Sequence, residues 1–153
     1  GDNYGCDYEA GMILKGMMKE SNSFHVLEPL QNIELVKGII GAAAYSLGIS
    51  YHLHVFSLSQ GHPTLILYTG DYYKTKSDGL IAFYGPPSRA INFSDTSVEQ
   101  TLQYVLEIEN YYAEACAHVH LVNRNILETN DWTIQSLKSL LLKKGILQDR
   151  QSY

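Results

Sequence analysis

The chain has 153 residues, a length that fits one domain with a packed core and leaves little room for a second. Hydrophobic residues make up 45% and charged residues 18% of the chain, a composition typical of globular rather than disordered proteins. The formal net charge of -5 at pH 7 argues against a nucleic-acid partner, because binding to phosphates needs a basic surface.

The cysteine content and the apolar runs bear on the cellular location of the protein. Cys6 and Cys116 lack the spacing of a metal site, and two cysteines are too few for a disulfide scaffold, so we expect both to be reduced. The longest apolar run, residues 38–49, is too short to span a bilayer, and the first residues show no signal-peptide pattern. These features favour an intracellular or organellar location over secretion, with any membrane reached only through a partner.

Two helices are predicted in the first third of the chain. The first covers about residues 8–21, where Asp7 can cap a run whose apolar residues fall near helical spacing. The second covers residues 32–47, with Asn32 as its cap and Gly48 as its C-terminal stop.

The middle of the chain, about residues 52–84, has a different character. The runs HLHVFSLS, TLILYT and LIAFY are short and β-prone, and the turn signals QGHP and KSDG separate them. This pattern predicts a small β hairpin or sheet inserted between helical segments.

Two further helices are predicted after this insert, at about 96–129 and 131–144. The first begins at a capping box of Thr96 and Glu99, with Ser94 as an alternative cap. It carries a near-heptad apolar stripe, so it must pack along a partner helix in this chain or another. The short connection ETND between the two predicts an antiparallel hairpin. The packing or interaction residues of the last helix are Trp132, Ile134, Leu137 and Leu141. The predicted fold is therefore a single, mainly α-helical domain that ends in a helix hairpin.

Several of these segments are similar to the C-terminal part of the peptidase domain of FtsH-type ATP-dependent zinc metalloproteases. The run ILETNDWTIQSLKSLLLKKGIL resembles the closing helices of that family, and NIELVKGIIGAAAYSLGIS resembles its helix that ends in GMS. FSDTSVEQTLQYV also resembles a family segment, and the matches extend from about Leu14 to Leu147. The similarity consists mostly of apolar periodicities.

The residues that carry the family's activity are missing. The family binds zinc through a helical His-Glu-x-x-His motif, which this chain lacks. The family's third zinc ligand is an Asp, and the matching position here is Asn32, a neutral and poorer ligand. The chain also has no P-loop. The resemblance therefore implies a catalytically inactive relative with no catalytic residues and no cofactor, or one piece of a split or larger assembly.

The function that these observations favour is a scaffold or assembly subunit that binds another protein or forms a homo-oligomer. One alternative is a zinc-dependent hydrolase whose site uses His52, His54 and His62, or is completed by a partner chain. In that alternative His52 and His54 share one face of a strand, a geometry that can ligate metal. A second alternative is a small ligand-binding sensor domain that uses the β insert.

Overall fold

The computed structural model describes residues 4–28 and 32–144, with residues 4–6 described by their backbone alone. The chain is mainly helical with one small sheet, as the sequence predicts. The elements in chain order are α1 (Tyr4–Met17), a 3-10 turn (Ser21–Ser23), α2 (Ile33–Gly41), β1 (Ser46–Gly48), α3 (Tyr51–Ser59), β2 (Thr64–Tyr68), α4 (Gly70–Tyr84), β3 (Arg89–Asn92), α5 (Val98–Asn110) and α6 (Tyr112–Lys143).

The chain divides into two compact units, residues 1–39 and 40–153. In the first unit α1 begins and ends earlier than the predicted helix 8–21. A Cβ at Gly11 would lie 3.0 Å from Cγ1 of Val26, so this glycine lets the segment after the 3-10 turn approach α1 closely. The second unit holds the sheet and the remaining helices.

Helix α2 is shorter than the predicted helix 32–47 and ends at Gly41. The Nε2–H group of His62 donates a hydrogen bond of 3.0 Å to the carbonyl oxygen of Gly41. The side chain of Gln60 fills the space that a Cβ at Gly41 would need. These two contacts fix the last turn of the helix, and the chain then enters β1 over residues that the sequence assigned to the helix.

The sheet has three parallel strands in the order β1-β2-β3. Ser46 pairs with Thr64 and Ile66 pairs with Ala90, which places β2 at the centre. The predicted strand TLILYT is confirmed, and its short apolar run is typical of a buried parallel strand. Because parallel strands need crossover connections, the hairpin alternative is wrong and the sheet alternative holds.

The two flanking runs predicted as strands form the crossover helices instead. HLHVFSLS lies in α3, where the buried positions 54, 57 and 58 recur at helical spacing. LIAFY lies in α4, which runs through the predicted turn KSDG and carries an ion pair between Lys74 and Asp78. Short apolar runs fit both periodicities, so burial on one helix face decided between them.

Two apolar clusters form the core of the second unit. Leu65 and Ile91 of the sheet pack with Ile108 of α5. Leu58 of α3 and Tyr84 of α4 pack with Val119 of α6 in the other cluster. Side chains alternate along β2, so Ile66 points to the face opposite Leu65. Thus α5 attaches to the sheet itself, whereas α6 attaches to the two crossover helices.

The predicted helices 96–129 and 131–144 are divided differently in the structure. The break lies at Tyr111, which ends α5 and begins α6. The segment ETND lies inside α6, so the predicted helix hairpin is wrong. This segment has no Gly or Pro, and the hydroxyl of Thr129 donates to the carbonyl of Asn125 one turn earlier, which the helix tolerates.

The capping box of α5 is present one residue later than predicted. Ser97 Oγ accepts a hydrogen bond of 3.2 Å from the amide of Gln100, and Gln100 Oε1 accepts one of 3.0 Å from the amide of Ser97. The amide of Gln100 offers the same acceptor as the predicted carboxylate of Glu99. The type of helix start was therefore predicted correctly and its position was not.

The packing of α5 on the sheet gives a testable prediction. Ile108 is fully buried, whereas Leu102 on the same helix is 54% exposed. We expect Ile108→Ala to lower the free energy of unfolding by about 2–4 kcal/mol, because it leaves a cavity. Leu102→Ala is the matched control and should lower it by less than about 1 kcal/mol. Urea unfolding monitored by circular dichroism measures both, and equal losses would contradict the packing described.

Candidate interaction surface

The structure does not assemble the predicted histidine site. His52 is exposed and His54 is buried, and both lie on helix α3 rather than on one face of a strand. The Nε2–H group of His54 donates to the carbonyl oxygen of Gly48 at 3.0 Å, and its Nδ1 atom lies 2.6 Å from Oγ1 of Thr64. Both ring nitrogens are therefore engaged within the protein, and a metal ion would have to displace one of these partners.

His54 is the centre of a buried hydrogen-bond network. Because Gly48 offers only an acceptor, Nε2 of a neutral His54 carries the proton and Nδ1 accepts from the hydroxyl of Thr64. The hydroxyl of Ser46 then donates to Thr64 Oγ1 at 2.6 Å. The backbone amide of Thr64 donates to Ser88 Oγ at 3.1 Å. The network links β1, α3 and β2 to the loop before β3.

Burial lowers the pKa of His54, because the charged imidazolium loses its hydration in the interior. The hydrogen bond to the carbonyl of Gly48 acts in the opposite direction but is the smaller effect. His54 is therefore neutral at neutral pH, which agrees with the proton positions in the network. We interpret this residue as a structural link between strands.

The structure also shows the positions of Asn32 and Cys116. Asn32 caps α2, since its Oδ1 atom accepts hydrogen bonds from the amides of Glu34 at 2.9 Å and Leu35 at 3.1 Å. Cys116 is a free thiol, and the side chain of Cys6 lies outside the described residues. Within residues 7–28 and 32–144, no three His, Cys, Asp or Glu side chains are grouped so that they could hold a metal ion.

The first half of α6 is held against the ends of α3 and α4. Asn123 Nδ2 donates to the carbonyl oxygen of Leu58 at 2.7 Å, and Asn123 Oδ1 accepts from the hydroxyl of Tyr84 at 2.7 Å. The ring of His118 donates to the carbonyl oxygen of Tyr84. Val119 is buried between these polar contacts.

A close approach between Gly61 and the ring of His120 also holds α6 against the end of α3. Gly61 has a φ of +93°, and the ring of His120 occupies the position that a Cβ would take at this residue. A glycine is required here both for its left-handed backbone and for its missing side chain. The loop after α3 therefore fits under α6 only with Gly61 in place.

The second half of α6 is exposed on all sides as far as residue 140, and Leu141 beyond it is half-buried. Every side chain from residue 127 to residue 140 is exposed, including Ile134 at 60% and Leu137 at 54%. Five residues at alternating spacings of three and four form one line along this half, which we call the α6 stripe: Leu127, Asn130, Ile134, Leu137 and Leu141. Trp132 is 71% exposed and lies on another side of the helix.

A hollow of about 350 Å³ adjoins the start of the α6 stripe. It is open to solvent and lies between the end of α4 and the middle of α6. Its lining combines apolar side chains with amides and a hydroxyl: Phe83, Val122, Asn125, Ile126, Thr129 and Asn130. Because Asn130 belongs to both, the hollow and the stripe form one continuous surface.

Among the helices of the described ranges, none is long and apolar enough to cross a membrane. The exposed apolar residues of α6 are interrupted by polar ones along its length.

Comparisons with protein-family models, curated proteins and solved structures find no match to this chain. The resemblance to FtsH-type peptidase domains therefore stays a prediction. The function has to be inferred from the chemistry and geometry of the chain itself.

Sequence reasoning missed two sets of residues that position the site. Asn123 lies inside a long helical pattern, and a single amide there gives no signal of its bonds to two other helices. Thr64 and His54 lie in runs that read as strand, and their contact depends on the crossover connection. The capping role of Asn32 was found because the signal is local to the helix start.

The lowered pKa of His54 predicts how stability depends on pH. The unfolded chain binds a proton on this residue below about pH 6.5, while the folded chain resists it, so stability is lost as pH falls through that value. His54→Gln should show a smaller loss of unfolding free energy between pH 8 and pH 5 than the wild type. His52→Gln is the control at an exposed position and should keep the wild-type loss. An unchanged pH dependence in His54→Gln would contradict the assignment.

Proposed function

We propose that this chain is a non-catalytic scaffold or assembly subunit that binds protein through the α6 stripe. The observation that supports the proposal is the line of exposed Leu127, Ile134 and Leu137 and half-buried Leu141 along the last half of a 32-residue helix. Single exposed apolar residues are normal on protein surfaces. An aligned set along one helix face is typical of a partner-binding surface.

Residues 127–140 of α6 bury no side chain in the described part of the chain. A helix of this length without tertiary packing is only marginally stable in water, because packing supplies most helical stability in proteins. Burial of the stripe against a partner would supply the packing that the described part of the chain does not. Helix-in-groove and helix-on-helix binding both use anchors at such spacings.

The proposal does not depend on kinship with FtsH-type peptidases. The enzyme alternative has weaker support, since both ring nitrogens of His54 and Nε2 of His62 bind groups within the fold. A site completed by a partner chain would still require the partner to bind first. Assembly is therefore the step that both interpretations share.

Photo-crosslinking in the cells that produce the protein tests the proposal. A photoreactive residue placed at Leu137 lies on the stripe, and one placed at Ser139 lies on the opposite side of the same helix. We expect covalent protein adducts from position 137 in clear excess over position 139. Equal yields at the two positions, or none at either, would overturn the proposal.

Substitutions on the two halves of α6 should separate binding from folding. Ile134→Gln with Leu137→Gln keeps good helix formers and removes apolar surface that is already exposed, so the melting temperature should change by less than about 2 °C. Val119→Gln places an amide in a buried position and should lower the melting temperature by about 10 °C. Thermal unfolding in dilute solution keeps assembly from contributing. A comparable drop in both variants would mean that the stripe packs within the chain.

A second candidate function is the binding of a small, largely apolar ligand in the hollow beside α4. Its volume of about 350 Å³ lies at the lower end of typical ligand pockets, and Asn125 offers hydrogen-bonding groups. A thermal-shift screen against metabolites tests this function. Replacement of Ile126 by Trp, which fills the hollow, should abolish any shift if the ligand binds there.

A further inference from the structure

We propose that the partner of the α6 stripe is a second copy of this chain, with the two helices antiparallel. This inference rests on the proposed function and specifies its partner. The supporting observation is the order of the charged residues in the exposed half of α6. We call this segment, residues 127–144, the α6 tail. The order makes the tail complementary to itself only when one copy is reversed.

The α6 tail has an acidic beginning and a basic end. Its charged residues in chain order are Glu128, Asp131, Lys138, Lys143 and Lys144. Two parallel tails would place acid beside acid and base beside base. Two antiparallel tails place the acidic beginning of each beside the basic end of the other, which favours that orientation.

Asp131 and Lys138 make this complementarity specific. They are seven residues apart, so they lie on the same flank of the stripe, roughly 10 Å apart along the helix axis. This separation is too large for an ion pair within one helix, and neither residue forms an ion pair in the described part of the chain. No oppositely charged residue lies three or four positions from either of them.

In an antiparallel pair each of these two charges gains a partner. Asp131 of one copy lies beside Lys138 of the other, and two-fold symmetry repeats the contact on the second side. The stripe between them supplies the apolar contact, with Ile134 of one copy close to Leu137 of the other. Its alternating spacings of three and four residues average 3.5, the repeat of a left-handed two-helix seam.

Charge reversal at the two positions tests the inference through sedimentation velocity at several concentrations. The wild-type protein should form a dimer. Asp131→Lys alone and Lys138→Asp alone each replace two attractive contacts with two repulsive ones, so each should raise the dissociation constant by about tenfold. High salt should weaken the wild-type dimer, because these contacts are exposed at the edge of the seam.

Restoration of the dimer is the decisive part of the test. An equimolar mixture of the two single variants should form a heterodimer of wild-type affinity, since each positive tail then meets a negative one. The double variant with Asp131→Lys and Lys138→Asp should again form a homodimer, because the reversed charges still match in the antiparallel orientation. Ser139→Lys adds a charge on the opposite side of the helix and should leave the affinity unchanged.

Three results would overturn the inference. These are a wild-type chain that stays monomeric at high micromolar concentration, a dimer unaffected by the single reversals, and variants whose affinity neither the mixture nor the double change restores. The crosslinking experiment keeps this failure distinct from failure of the proposed function. Adducts from position 137 that contain only a different protein would overturn the second-copy partner while supporting an interaction surface.

Discussion

The architecture of the second unit depends on the side-chain amide of Asn123. One amide binds the carbonyl of Leu58 at the end of α3 and the hydroxyl of Tyr84 at the end of α4, and this joins three helices. The carbonyl of Leu58 also accepts a hydrogen bond of 3.0 Å from the amide of Gly61, so Asn123 gives this oxygen a second hydrogen bond at the end of the helix. The bonds to Asn123 and His118 fix the position of the first half of α6, and the continuous helix then sets the direction of the second half.

The sheet and its crossovers provide the platform for this contact. Neutral His54 holds α3 to the ends of β1 and β2, and the Ile108 cluster covers the other face of the sheet. Helix α6 packs on α3 and α4 rather than on the sheet itself. The proposed interaction surface is therefore carried by regular secondary structure, on which side chains are positioned more reliably than on loops.

The sequence predicted features that depend on neighbouring residues better than features that depend on long-range contacts. The cap at Asn32, the strand TLILYT and the capping-box type of the α5 start all have local signals, and the structure contains each of them. The end of α2 was missed because it depends on His62, 21 positions away in sequence from Gly41. The helices α3 and α4 were missed because short apolar runs fit strand and helix alike.

For the same reason the sequence predicted the residues of the proposed interaction surface but not whether they pack within the chain. Ile134, Leu137 and Leu141 were assigned to packing or interaction from their spacing, and the spacing is present on α6. Periodicity cannot distinguish a face that packs within the chain from one that binds another chain. The structure shows that Ile134 and Leu137 are exposed and that the chain does not turn back at ETND.

Because α6 continues unbroken through ETND, a small rotation of the helix at Asn123 moves its far end by a much larger distance. The helix continues from there for roughly 30 Å, so a tilt of only about 5° at Asn123 would displace its far end by about 2–3 Å. Such a displacement is large compared with the tolerance of packed side chains. Any event that shifts the ends of α3 and α4, including occupation of the hollow beside Phe83, would therefore be amplified at the far end of the helix.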